Sequence, residues 1–430
     1  MYNRLKVAAC LVGAIVPWLL TTTGITSADE SFANTSVITL PNSQSLNSFD
    51  IGFVDPVADV YVLADRTNKS IDVIDTSTNT VINQLEPGFA GVVAPANCST
   101  GMANDCSGPD GVLIVNHTHV WVGDGKSTVW VLHLHTGKVE AKISTALPGT
   151  TDQTRADELC YDPNDHIILM ANDASSPFPF VTFISSTNPT VLGHIVMDGG
   201  SGTGHGPQAT AGIEQCQWSP RTGKFYINLP VAVINGASIG TVLVIDPVSM
   251  TIDRTWTIDA SKCTAPQGMA IGPAPQILLG CNGPVGSVII DESLATGNGP
   301  ANILFSLAGA GGNDEVWYNP GDNQYFLAGT VTGKLGVADP NGTQDTPFAT
   351  TATGSHSVAA DPVRNQVYVP INRATGPCGS SNGCIAVYTA VGTDDPSICV
   401  GQGAPVISTA NEGTGDPVLL RVVCPTRGNH

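Results

Sequence analysis

Seven chemistry-capable side chains recur along the chain: Asp50, Asp110, Asp157, Glu214, Gln267, Asp314 and His356. Each stands ahead of a short apolar run. Examples are D-I-G-F-V-D-P from Asp50, D-E-L-C-Y-D-P from Asp157, E-Q-C-Q-W-S-P from Glu214 and D-E-V-W-Y-N-P from Asp314. Five of the seven are carboxylates, and Glu158 and Glu315 follow directly in two runs. If the fold gathers these positions, the carboxylates repel one another unless a cation or protons intervene. Hard oxygen donors suit a divalent ion, Ca²⁺ above all, with Asp157, Glu158, Glu214 and Asp314 as the expected ligands. Such an ion would polarise a carbonyl or activate water. The alternative is structural: Asp and Asn side chains cap backbone groups and bond to neighbouring loops.

Other residues could complete a catalytic site. His356 can act as a general base if a carboxylate, Asp314 in the preceding run, orients its ring. It could equally be a structural histidine. Glu214 would share the acid–base work. The segment D-G-G-S-G-T-G-H-G-P-Q-A-T-A-G-I (198–213) could close over the site as a lid and deliver His205, or be an ordinary loop. Arg155 could hold a substrate carboxylate, with Gln267 and Asp110 as further substrate contacts, or Arg155 could sit in a surface ion pair. The pairs His117/His119 and His133/His135 alternate along strands and read more simply as solvated edge histidines than as zinc or copper ligands. The chain has no G-x-S-x-G, H-E-x-x-H or G-x-x-x-x-G-K-S/T motif, so serine-hydrolase, zincin and phosphate-loop chemistry have no support.

The elements around these residues repeat. After each run comes a second strand, such as V-Y-V-L-A-D, H-V-W-V-G-D or I-I-L-M-A-N-D, and then a third, such as T-V-W-V-L-H-L or T-V-L-V-I-D-P. The seven starts are 60, 47, 57, 53, 47 and 42 residues apart. Four-stranded units at that period predict an all-β, seven-bladed β-propeller of four-stranded antiparallel blades. The seven positions then ring the channel mouth, on the face that carries the long segments 86–109, 144–156 and 198–213. Ser36-Val37-Ile38-Thr39-Leu40 is in phase with an outer strand and is expected to close the last blade. Residues 418–423 are the competing candidate.

I-D-V-I-D-T-S-T-N-T-V-I from Ile71, and H-S-V-A-A-D-P-V-R-N-Q-V-Y-V-P-I-N from His356, resemble the YVTN-type repeat of secreted propellers. That superfamily neighbourhood also holds NHL-repeat and gluconolactonase- or lactonase-like propellers. The resemblance spans nearly all of residues 36–392. It implies the propeller fold and, through the lactonase-like members, a divalent metal near the channel mouth.

The chain of 430 residues carries 17 basic and 36 acidic side chains, a formal charge of −19. Such a surface repels nucleic-acid phosphates and anionic lipid. Residues 1–28, with Arg4 and Lys6 ahead of an apolar run, read as a signal peptide. The rest divides into a propeller (29–392) and a tail (393–430) packed on it. Ten cysteines follow the leader, an even number that points to disulfides in an oxidising, secreted or periplasmic setting. The expected pairs are Cys98–Cys106, Cys263–Cys281, Cys378–Cys384 and Cys399–Cys424, with Cys160–Cys216 bridging two blades. Sequons at Asn34, Asn68, Asn97, Asn116 and Asn341 would carry glycans in a eukaryotic host. The expected activity is a metal-dependent hydrolase or lyase on a small ester, lactone or sugar acid, acting as a monomer. A non-catalytic ligand- or protein-binding propeller, and a structural surface protein with a plugged channel, are the alternatives.

Overall fold

In the computed structural model, the described residues are 31–149, 154–293, 297–372, 376–379 and 382–391. The expected leader, the tail and the Cys399–Cys424 pair lie outside them. Seven antiparallel sheets follow one another around a central channel. In blade 1, Gly52–Asp55 is innermost and is followed outward by Val60–Asp65, Ser70–Asp75 and Thr80–Leu85. Blades 2, 3, 5 and 6 repeat that order. Blade 4 is enlarged: its second strand, Lys224–Ile234, is long enough to pair also with Gln208–Ala209. No helix among the described residues is long and apolar enough to cross a membrane.

The turns explain why the repeat folds this way. Asp55 Oδ1 accepts from the backbone N–H groups of Val57 and Ala58, at 2.9 and 3.0 Å. Asp162, Asn319 and Asp361 make the corresponding bond in blades 3, 6 and 7. At the outer hairpins, Asp75 and Asp246 accept from the two N–H groups two and three residues on. These side-chain acceptors fix the turns that separate one β-run from the next. The second strand is nearly wholly buried in every blade but the extended one of blade 4, in keeping with its β-branched and aromatic content. Tyr61, Tyr226, Tyr325 and Tyr368 are fully buried there, each contributing about 1.5–3 kcal/mol by removal from water.

The ring closes with the N-terminal strand. Ser31–Ile38 pairs antiparallel with Cys384–Val391 as the outer strand of blade 7. It takes in the first part of the expected segment and begins five residues earlier. Tyr61 of blade 1 stacks on Tyr368 of blade 7, centroids 4.7 Å apart, and Phe32 of the closing strand meets Phe326 of blade 6 edge-on at 5.0 Å. Four of the expected disulfides are formed: Cys98–Cys106, Cys160–Cys216, Cys263–Cys281 and Cys378–Cys384. Cys160–Cys216 joins the inner strands of blades 3 and 4.

Neighbouring inner strands are stitched together at the mouth. Gly111 donates to Asp157 O (2.8 Å) and Glu315 to His356 O (2.9 Å). Gly52 donates to Ser357 Oγ (3.0 Å). A Cβ at Gly111 would lie 2.2 Å from Asp157 O, so only glycine lets blades 2 and 3 approach this closely.

Candidate functional site at the channel mouth

The seven recurring positions do ring the mouth, but in two unlike arcs. Asp50, Asp110 and Asp157 are buried, whereas Glu214, Gln267, Asp314 and His356 are partly exposed. Asp50, Asp110 and Asp157 bring one oxygen each within 4.8 Å of one another, the one such set among the described residues. Glu158, Glu214 and Asp314 do not belong to it.

Two guanidinium groups fill that set. Arg66 follows the second strand of blade 1. Its Nε donates to Asp110 Oδ1 at 2.8 Å, one terminal nitrogen reaches Asp50, and the other donates to Asn104 Oδ1 at 2.6 Å. Arg155 stands two residues before Asp157 and bonds Asp157 Oδ2 at 2.7 Å and Asp173 Oδ2 at 2.9 Å. Its other arm lies 3.9 Å from Asp50 Oδ2. Arg155 is 9% exposed and Arg66 4%, so both are internal ions. Arg155 is thus held by the chain's own carboxylates, neither on the surface nor free for a substrate.

His356 is a third cation. Its Nδ1 faces the Gly354 carbonyl oxygen at 3.0 Å and its Nε2 faces Asp50 Oδ1 at 3.2 Å. Both partners are acceptors, so both ring nitrogens carry protons and the ring is an imidazolium. It stacks on Phe49, centroids 4.8 Å apart. Burial opposes its charge, yet the Asp50 bond and the charges of Asp50 and Asp314 raise its pKa to about 9. A ring protonated at neutral pH is a poor general base. The carboxylate that binds it is Asp50 across the closure, and Asp314 acts on it through charge. Asp50 in turn is held well below the usual carboxylate range: burial raises it, but Arg66, His356 and Arg155 outweigh that.

The remaining carboxyls move the other way. Burial pushes Glu214 well up, and the nearby Asp173 and Asp314 add to it. Gln267 Nε2 donates to Glu214 Oε1 at 3.2 Å. Asp314 is also raised by burial, although His356 pulls it down. One residue deeper, Glu158 of blade 3 and Glu315 of blade 6 meet across the channel. Burial raises both, and each feels the other; Glu315 reaches about 8. They share a hydrogen bond that needs a proton. Gln215 of blade 4 donates to Glu315 Oε2 at 2.6 Å and accepts from the Met269 N–H. This tier floors the mouth.

The residues test poorly as a divalent-ion site. The convergent oxygens of Asp50, Asp110 and Asp157 already receive guanidinium N–H groups, and Arg66 and Arg155 place positive charge where an ion would sit. One oxygen, Asp110 Oδ2, is buried without a hydrogen-bond partner, too few for the six to eight oxygens that Ca²⁺ takes.

His205 lies elsewhere. Its Nδ1 bonds Asp198 at 2.9 Å, and the glycine-rich segment packs at the outer rim beside Ile195 and Ile252. Gln208–Ala209 anchors its far end as an extra strand. The segment is therefore not a lid over the mouth. His119 pairs with Glu140 at 2.8 Å, and His133 and His135 stand beside it at the rim.

Arg66, Asp173, Gln215 and Glu315 complete the mouth network. A signal for two of them was present: Arg66 and Asp173 each directly follow the second strand of their blade, a position that returns to the mouth.

Comparison with known proteins establishes the fold and no more. No family model and no curated protein matches the chain, so the likeness to YVTN-type repeats rests on the residues quoted above. Many solved chains match, 1498 in all, a breadth that points to architecture and not to an activity. One is a chain from the crystal structure of the mitotic checkpoint complex, with TM-score 0.57 and 11% identity over 90% of this chain and 98% of that one.

Proposed function

We propose that this chain is an exported, non-catalytic binding propeller whose mouth face engages a small ligand or a protein partner. The observation that carries this reading is the set of three internal cations, Arg66, Arg155 and His356, which occupy the convergent carboxylates Asp50, Asp110 and Asp157. Their bonds run from blade to blade, so they brace the ring. The disulfides accord with an oxidising compartment. The net charge of −19 disfavours nucleic acid and anionic lipid as partners. The protein complex from which the matching checkpoint chain comes accords with a propeller used for binding, at the level of fold alone.

Metal content tests this. Protein dialysed against Ca²⁺ and then against plain buffer is expected to retain no stoichiometric divalent ion by mass spectrometry, and chelator should leave its thermal midpoint unchanged. One ion per chain, lost to chelator together with stability, would restore the metal-dependent hydrolase or lyase reading. One observation keeps that second reading in view: Glu214 and Asp314 are partly exposed, and Glu214 is met by an amide rather than a cation. Ester or lactone turnover abolished by Glu214→Gln would support it.

A further inference from the structure

Beneath the Glu158–Gln215–Glu315 tier the channel widens into a cavity of about 380 Å³. It is a different place from the mouth, and its chemistry owes nothing to the reading above. The inner strands run from the mouth toward the opposite face, so Glu158 lies at its closed end and the residues late in each strand lie toward its opening. Those late residues are aromatic in four of the six blades that line the cavity: Phe53, Tyr161, Trp218, Trp317 and Tyr318. All five are partly exposed, unlike the tyrosines of the second strands. Phe53 and Trp317 meet edge-on at 5.8 Å. The Trp218 indole N–H is buried with no acceptor within reach.

A plain structural plug would leave no room for a guest. Here five aromatic rings share the wall with aliphatic residues such as Ile51, Val112, Leu113 and Ile271, space remains, and a carboxyl stands at the blind end. Aromatic faces present negative charge to whatever lies against them and attract a desolvated cation. A buried carboxyl at the end adds a hydrogen-bonding anion once a positive guest arrives. A diffuse cation suits such a chamber better than a compact one, because it is cheap to strip of water.

We infer that the channel is a binding site for a small alkylated ammonium compound, held between Trp218, Trp317, Tyr161 and Tyr318 with its charge toward Glu158. A hydroxyl or carbonyl on the guest would satisfy the Trp218 N–H.

Choline and its neutral isostere 3,3-dimethylbutan-1-ol test this on the intact protein, by tryptophan fluorescence and calorimetry. Choline is expected to bind saturably near ~1 mM. The isostere should bind at least about tenfold more weakly, the factor one desolvated cation–π contact supplies. Trp218→Ala should weaken choline by a similar factor. Glu158→Gln, which keeps a hydrogen-bond partner for Glu315, should weaken choline about tenfold and leave the isostere unchanged. It also serves if Trp218→Ala fails to fold. Equal affinity for choline and its isostere would overturn the assignment in favour of a neutral, apolar guest. Choline affinity unmoved by Glu158→Gln would overturn it too, as would the absence of saturable binding below about 100 mM.

Discussion

The charge of His356 can be taken away without touching the histidine. Asp50→Asn keeps the shape of its partner and removes the negative charge 3.2 Å from Nε2. At an effective dielectric of about 20 that contact is worth roughly 5 kcal/mol of attraction. Burial of the imidazolium opposes it. The net rise from 6.5 to about 9 corresponds to about 3 kcal/mol of preference for the charged ring. Because the folded value lies above the unfolded one, this stabilisation is fully present below pH ~6.5 and is lost as pH rises through about 9. Denaturant unfolding at pH 6 and pH 9.5 should show the wild type losing about 3 kcal/mol more over that interval than His356→Gln, which cannot titrate. Glu315, raised to about 8, gives a decline of the same sign in both proteins; since the His356 charge holds it down, that decline is steeper in His356→Gln, and about 3 kcal/mol is the upper bound of the difference. Imidazole ¹⁵N shifts give the ring's own titration: near 9 in the wild type, below 7 in Asp50→Asn. A wild-type His356 that titrates below 7, or an Asp50→Asn protein that leaves it unchanged, would refute the account of the mouth as braced by internal cations.

Two further substitutions probe the same architecture. Arg66→Met should cost about 3–5 kcal/mol at pH 8, since it takes the guanidinium from buried Asp110, which burial already raises to about 8, and leaves Asp50 to His356 and the more distant Arg155, and less at pH 5, where Asp110 is protonated. Adding Asp110→Asn should recover part of that loss, read as a denaturant midpoint. Gly111→Ala should cost about 2 kcal/mol or more, because its Cβ meets the Asp157 carbonyl and blade 3 must move; normal stability in that variant would show that the inner strands are less tightly stitched than described.

The fold was legible because it is written seven times. Five of the repeats carry a turn-fixing Asp, Asn or Ser after the inner strand, all carry a largely buried second strand, and agreement among copies outweighs the ambiguity of any one. Disulfide partners were legible where the cysteines are close in sequence or share a blade position. The ring of polar residues was legible as a ring. Its internal cations were not, because Arg66 and Arg155 look in sequence like any surface arginine. Their burial follows from which strand ends return to the mouth. The partner of His356 was sought in the preceding blade, at Asp314. It is Asp50, 306 residues away, brought there by closure of the circle. Nor does sequence state who holds a proton: the Glu158–Glu315 pair reads as two anions until burial is known.

The closing strand also sets an order in time. Ser31–Ile38 is made before any blade exists, while its partner, Cys384–Val391, is made after all the other described strands. Until then the nascent array keeps two open edges, each a template for pairing with another chain. Blades 1 to 6 are built from near neighbours and can form as the chain emerges; Cys160–Cys216, the widest of the four disulfides, spans 56 residues. The last step joins segments some 360 residues apart, the slowest kind of contact to find. A nascent chain stalled short of residue 384 would thus be nearly complete in blades and still unable to seal itself.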